Sequence, residues 1–80
     1  MINHEKLESL KVELRKTVEF ESNADKNGIS TGRMKSESKY AKMLLAAIEV
    51  LEFTSRANDM RARQASDNAL QTMLDQWENV

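Results

Sequence analysis

The chain has 80 residues, and its 12 basic and 13 acidic side chains give a formal net charge of −1. This near-balance excludes a general electrostatic attraction to nucleic acid or to an anionic membrane. The chain has no cysteine and a single histidine, which excludes disulfides and also thiolate or histidine-rich metal sites. A chain this short buries only about 60% of its unfolded surface, so we expect self-association or a partner to reinforce it.

The first predicted helix, arm one, covers residues 3–20. Asn3 is a suitable N-cap, and Glu5 lies in the first turn, where a negative charge is favourable. Apolar residues recur at intervals of three and four, which is the spacing of one helix face. These residues are Leu7, Leu10, Leu14 and Val18. We therefore predict an amphipathic helix that buries its leucines.

Turn-forming residues are concentrated in residues 21–35, which we predict to be a flexible joint. Both glycines of the chain, Gly28 and Gly32, lie here among Asn, Asp, Ser and Thr residues, and the chain has no proline. These residue types favour turns over regular helix. Ser36, followed by Glu37, is a reasonable N-cap for the next helix.

The second predicted helix, arm two, covers residues 36–78. No glycine or proline occurs from Arg33 to the end of the chain, which favours one unbroken helix of roughly 60 Å. Polar residues at helical spacing keep to one line along it. They are Lys42, Glu49, Glu52, Arg56, Arg63 and Asp67.

The two arms differ too much in length for one to cover the other. Arm one would be roughly 27 Å long, so in a hairpin it covers only about half of arm two. The uncovered end carries four large apolar residues, too many to leave in water. They are Leu70, Met73, Leu74 and Trp77.

Two all-α architectures solve this problem. In the first, which we favour, a helical hairpin with a long second helix forms a homodimer with a four-helix arrangement. In the second, the chain breaks near residues 54–59 and closes a compact three-helix bundle by itself. Ser55, Asn58 and Asp59 are able to cap a third helix, so the second architecture stays open. In either case we predict a single domain over residues 1–80.

The bulky end of arm two indicates the function. Buried tryptophan often dominates protein interfaces, and Trp77 lies next to Leu74 in this end. We predict a small non-catalytic protein–protein interaction module, such as a regulator, adaptor, inhibitor or chaperone-like protein. Its predicted partner interface consists of Leu70, Met73, Leu74 and Trp77.

An alternative function rests on the basic residues. Positive charges gather around the joint and again in the middle of arm two, where they could hold phosphates. The candidate contacts are Lys35, Lys39, Lys42, Arg61 and Arg63. The alternative is therefore a dimeric helical nucleic-acid-binding protein. In the simpler interpretation, these charges pair with the acidic residues Glu13, Glu19 and Glu21 of arm one.

Motifs for catalysis or metal binding are incomplete. Residues 23–28 resemble the start of a calcium loop, but Met34 stands where the bidentate glutamate is required. His4 and Glu8 resemble a zinc-protease motif whose second histidine is replaced by glutamate. We predict no enzymatic activity, no cofactor and no metal site.

The chain carries no predicted targeting or membrane-spanning segment. Its N-terminus has acidic residues and no apolar run, unlike a signal peptide. The longest apolar run, residues 43–48, is far shorter than the roughly 20 residues that cross a bilayer. We expect a cytoplasmic protein.

Overall fold

The computed structural model describes residues 2–79, and within that range the chain forms three α-helices and no strand. Helix α1 covers His4–Lys26, α2 covers Gly32–Ser55 and α3 covers Met60–Glu78. The prediction of an all-α fold is confirmed.

Helix α1 begins as predicted and ends later than predicted. The Asn3 Oδ1 accepts a hydrogen bond from the Lys6 backbone N–H at 3.2 Å, so Asn3 is the N-cap. The helix continues through the buried Ala24 to Lys26. The segment that resembles a calcium loop is therefore mostly helical. Gly28, with φ +71°, adopts the left-handed conformation that terminates the helix.

The joint between α1 and α2 is shorter than residues 21–35. Only residues 27–31 lie outside the two helices, because α2 already begins at Gly32. Its N-cap is Thr31, whose Oγ1 accepts a hydrogen bond from the Met34 backbone N–H at 3.1 Å. Ser36 is an exposed residue within the helix, so its prediction as the N-cap was wrong.

The prediction of one continuous second helix was also wrong, and the chain takes the alternative break within residues 54–59. Ser55 Oγ donates to the Glu52 carbonyl oxygen at 2.8 Å, which satisfies a terminal carbonyl of α2. The Asp59 carboxylate accepts a hydrogen bond from the Arg61 backbone N–H at 2.9 Å and so caps α3. Polar side chains thus allow a break that has neither glycine nor proline.

Helices α1 and α3 both pack mainly on α2 and contact each other less. The core consists of Leu7, Leu10, Ile48, Leu70 and Leu74, none more than 6% exposed. We call this part the three-helix end. The break lets α3 fold back and bury Leu70 and Leu74 against the chain's own core.

The opposite part of the molecule contains fewer large buried side chains. The structure is elongated, measuring 48 × 23 × 18 Å. We call residues 18–41, the second half of α1 with the loop and the first part of α2, the hairpin end. Its buried residues are Ala24, Ser38 and Ala41, all from α1 and α2. Small side chains allow two helices to approach closely there.

Candidate interaction surfaces

An open groove of about 600 Å³ lies at the three-helix end. Its apolar lining comes from all three helices: Leu10, Leu14, Leu44, Ile48, Met73 and Trp77. Its polar lining consists of Glu13, Thr17, Thr72 and Gln76. The groove follows from the packing, because α1 and α3 both rest on α2 while contacting each other less.

Only two of the four residues predicted to form the partner interface reach the surface. Leu70 and Leu74 are each 1% exposed and belong to the core, so the prediction that they face a partner was wrong. Met73 and Trp77 are half-buried, pack against that core and line the groove. The sequence therefore did not separate the core-facing residues of α3 from its groove-facing ones.

A second apolar surface lies on α2, on the side away from the core. We call it the outer face of α2. It consists of Tyr40, Met43, Ala46, Ala47, Val50 and Phe53. Of these, Tyr40 is 66%, Met43 58%, Val50 64% and Phe53 80% exposed.

The outer face is hard to recognise from the sequence as a separate surface, because α2 carries apolar residues on two sides. Ile48 faces the core and is 0% exposed, whereas Met43 and Val50 of the same helix face outward and are mostly exposed. One signal was present, since residues 43, 46, 50 and 53 follow a spacing of three and four on a face distinct from that of Ile48.

The predicted nucleic-acid contacts fall into two separate groups. Lys35, Lys39 and Lys42 share one side of α2 and line a shallow groove with Glu21. Arg61 and Arg63 lie in the first turns of α3, after the C-terminal end of α2. About 30 Å of α2 lies between Lys35 and that end. The structure therefore does not bring the five residues into one surface.

A charged cluster joins α1 to α2 near the core. The Lys11 Nζ lies 2.9 Å from Glu8 Oε1 and 3.0 Å from Glu52 Oε1, and the Lys11 side chain is only 12% exposed. Two hydrogen bonds raise the pKa of Lys11. The larger effect comes from the bond to Glu8 and the smaller one from the bond to Glu52. The hydrogen bond from Lys11 lowers the pKa of Glu8. This cluster links α1 to α2 through the Lys11–Glu52 ion pair.

Among residues 2–79, no three His, Cys, Asp or Glu side chains are grouped so that they could hold a metal ion. Over the same residues, no helix has both the length and the apolar character needed to cross a bilayer.

Comparison of the chain with protein-family models, curated proteins and solved structures gave no match. The two apolar surfaces, the groove and the outer face of α2, are therefore the features of the chain that bear on its function.

Proposed function

We propose that this chain is a non-catalytic protein–protein interaction module whose groove binds an amphipathic helix of another protein. The observation that carries the proposal is the groove itself, an open apolar channel in which Met73 and Trp77 stand half-exposed. Helix-in-groove binding places several apolar side chains of one face into such a channel. Roles as a regulator, adaptor, inhibitor or chaperone-like protein all use this mode.

The lining of the groove defines the chemistry of the occupant. Its walls are aliphatic and aromatic, with one flexible methionine that adapts to differently shaped side chains. Glu13 is the single charged residue among the lining side chains. We therefore expect the bound helix to carry large apolar residues at intervals of three and four, and a basic residue on the side that faces Glu13.

Site-specific photo-crosslinking tests this proposal. A photo-reactive residue replaces Gln76, an exposed residue that lines the groove, and in a control protein it replaces Gln64, an exposed residue of α3 outside the groove. We expect the Gln76 probe to form a crosslink to one protein in an extract of cells that make this chain, and the crosslinked segment to be an amphipathic helix. Equal crosslinking from both probes would contradict the proposal.

A substitution inside the groove, compared with one outside it, shows whether the crosslink depends on the groove. Met73→Lys places a charge in the groove wall at a residue that is not fully buried, so the fold is expected to persist. This variant should lose the crosslink from Gln76, while Arg63→Ala, outside the groove, should keep it. A crosslink that survives Met73→Lys would show that the groove is not the binding surface.

Nucleic-acid binding is a second candidate, favoured by the three lysines that share one side of α2. Phosphate contacts by Lys35, Lys39 and Lys42 should produce binding that weakens steeply with salt. Fluorescence anisotropy with labelled single-stranded and double-stranded oligonucleotides at low salt measures this. Binding that is lost in the triple lysine-to-glutamine variant would support this candidate, and absence of binding at low salt would exclude it.

A further inference from the structure

The outer face of α2 has a symmetric arrangement of residues along the helix. We infer that this face pairs with the same face of a second copy of the chain, with the two α2 helices antiparallel. The two-fold axis would pass between Ala46 and Ala47. Residues of the outer face lie within an arc of about 140° on the helix, on the side away from Ala41 and Ile48.

Residue sizes on the outer face match across that axis. Counting outward from its midpoint, the face presents two alanines, then Met43 and Val50, then Tyr40 and Phe53. In an antiparallel pair, Met43 of one copy lies opposite Val50 of the second copy. Tyr40 of one copy and Phe53 of the other lie at the same level along the helices, on the two edges of the contact. The alanines allow the two backbones to approach closely at the centre, while the aromatic residues close the two ends.

The charges beside this face are complementary in the same orientation. Lys42 and Glu49 are exposed and lie on the same side of the face, on either side of its midpoint. Across the two-fold axis they are offset by two residues, about 3 Å along the helix, which the long lysine side chain can span. Within residues 2–79, neither has an ion-pair partner. In an antiparallel pair, Lys42 of each copy faces Glu49 of the other, which gives two equivalent ion pairs.

A parallel pair fits the same residues less well. In a parallel pair the two copies of Lys42, and likewise those of Glu49, would lie on opposite sides of the contact, so neither ion pair would form. The antiparallel pair, which forms both ion pairs, is closed and uses one surface twice, as the commonest dimers do.

The contact would be of moderate size. Four aromatic side chains, at roughly 150 Å² each when fully buried, account for most of it, with methionine and valine adding the remainder. This places the pair near the lower end of stable interfaces, so it should dissociate on dilution. The outer face is separate from the groove, so this inference is independent of the proposed function.

Sedimentation equilibrium over micromolar to millimolar concentration tests the pairing. The unmodified chain should pass from monomer to dimer, and Val50→Glu should weaken the dimer by at least roughly tenfold. Val50 is exposed in the monomer, so circular dichroism should show unchanged helix content. The groove variant Met73→Lys should dimerise normally. A chain that stays monomeric at millimolar concentration, or a dimer that survives Val50→Glu, would overturn the inference.

Charge exchange tests the antiparallel orientation. Lys42→Glu creates two repulsive pairs with Glu49 and should weaken the dimer. The double variant Lys42→Glu with Glu49→Lys restores both pairs and should recover most of the affinity. If the double variant associates no better than Lys42→Glu, the proposed register is wrong.

Cysteine crosslinking gives an independent test, because the natural chain has no cysteine. A mixture of Met43→Cys and Val50→Cys proteins should form the mixed disulfide under mild oxidation, since these positions lie opposite each other near the centre line of the face. Each variant alone should form little dimer. Efficient crosslinking of Met43→Cys to itself, without the mixed product, would indicate a parallel pair and overturn the inference.

Discussion

At the three-helix end, large aliphatic side chains from three helices meet in one cluster, with Ile48 at 0% exposure in its centre. At the hairpin end, only two alanines and a serine are buried, and the large residues Phe20 and Ile29 are 69% and 67% exposed. Burial of a large aliphatic side chain stabilises a fold by about 1.5–3 kcal/mol, and an alanine contributes far less. The three-helix end therefore supplies most of the stability.

The two ends of this small chain therefore contribute unequally to the stability of its fold. The three-helix end holds the core and the groove, whereas the outer face of α2 extends from the three-helix end towards the hairpin end. Because α2 belongs to both ends, it packs with large core side chains around Ile48 and buries only Ser38 and Ala41 towards Gly32. Substitutions at the two ends should therefore differ in the size of their effect on stability.

Ile48→Ala should remove the largest single contribution to the core. The side chain is fully buried, so loss of its methyl groups should cost about 2–5 kcal/mol of unfolding free energy. This is a large part of the roughly 4–12 kcal/mol expected for a chain of this length. Urea denaturation followed by circular dichroism measures it. Ile29→Ala, in the exposed loop, is the control and should change the free energy by less than about 0.5 kcal/mol.

Ala41→Leu should destabilise the hairpin end by overfilling it. Ala41 is 3% exposed, so a larger side chain must push α1 and α2 apart, at a cost of about 1–3 kcal/mol. The control is Ala65→Leu at an exposed site of α3, which should be nearly neutral. A stabilising effect of Ala41→Leu in thermal denaturation would mean that the hairpin end has space to fill.

Lys11→Met should remove the cluster that fixes α1 on α2 while keeping most of the length of the side chain. The loss should be about 1 kcal/mol at neutral pH, because Glu52 is left half-buried without its partner. Lys16→Met is the control, since Lys16 is exposed and its pair with Glu13 is longer, at 3.7 Å.

The pH dependence of the same variant checks the cause. The pKa of Glu8 is lowered in the folded state. Its contribution to stability is therefore fully present above pH 4.5 and disappears as the pH falls through the lowered pKa. The pKa of Lys11 is raised in the folded state. Its contribution to stability is therefore fully present below pH 10.5 and disappears as the pH rises through the raised pKa. The difference in melting temperature between the natural chain and Lys11→Met should therefore shrink at both extremes. A constant difference across this range would contradict the assignment.

Ser38→Ala should have the smallest effect, and its sign should be favourable. The Ser38 hydroxyl is buried and has no hydrogen-bond partner among the described residues. Its removal should be neutral or stabilise by up to about 1 kcal/mol. Ser36→Ala, at an exposed site of the same helix, measures the helix-propensity part alone. A destabilising Ser38→Ala would indicate that the hydroxyl makes a contact in solution.

The sequence predicted the helical class and the start of α1 correctly because these depend on local patterns. The N-cap at Asn3 and the burial of Leu7 and Leu10 follow directly from spacing and side-chain chemistry. The break after α2 was less predictable, because Ser55 and Asp59 occur in helices as well as at their ends. Only the burial of α3 against Ile48 makes the break favourable, and that is a tertiary effect.

A tertiary effect also explains why the sequence identified the candidate surfaces only in part. Leu70 and Trp77 look equivalent in sequence, yet the position of α3 on α2 buries one and leaves the other in the groove. The outer face of α2 was hidden because apolar residues on both sides of a helix give no clear single stripe. The faces of α2 become distinct only once the positions of α1 and α3 are known.

Amide hydrogen exchange along α2 tests the contrast between the two ends most directly. The measurement should use the Val50→Glu variant, so that a second copy does not protect the helix. We expect amides near Ile48 to exchange only through global unfolding, and those of residues 36–41 to exchange faster through local opening of the hairpin end. Uniform protection along the whole of α2 would contradict the account.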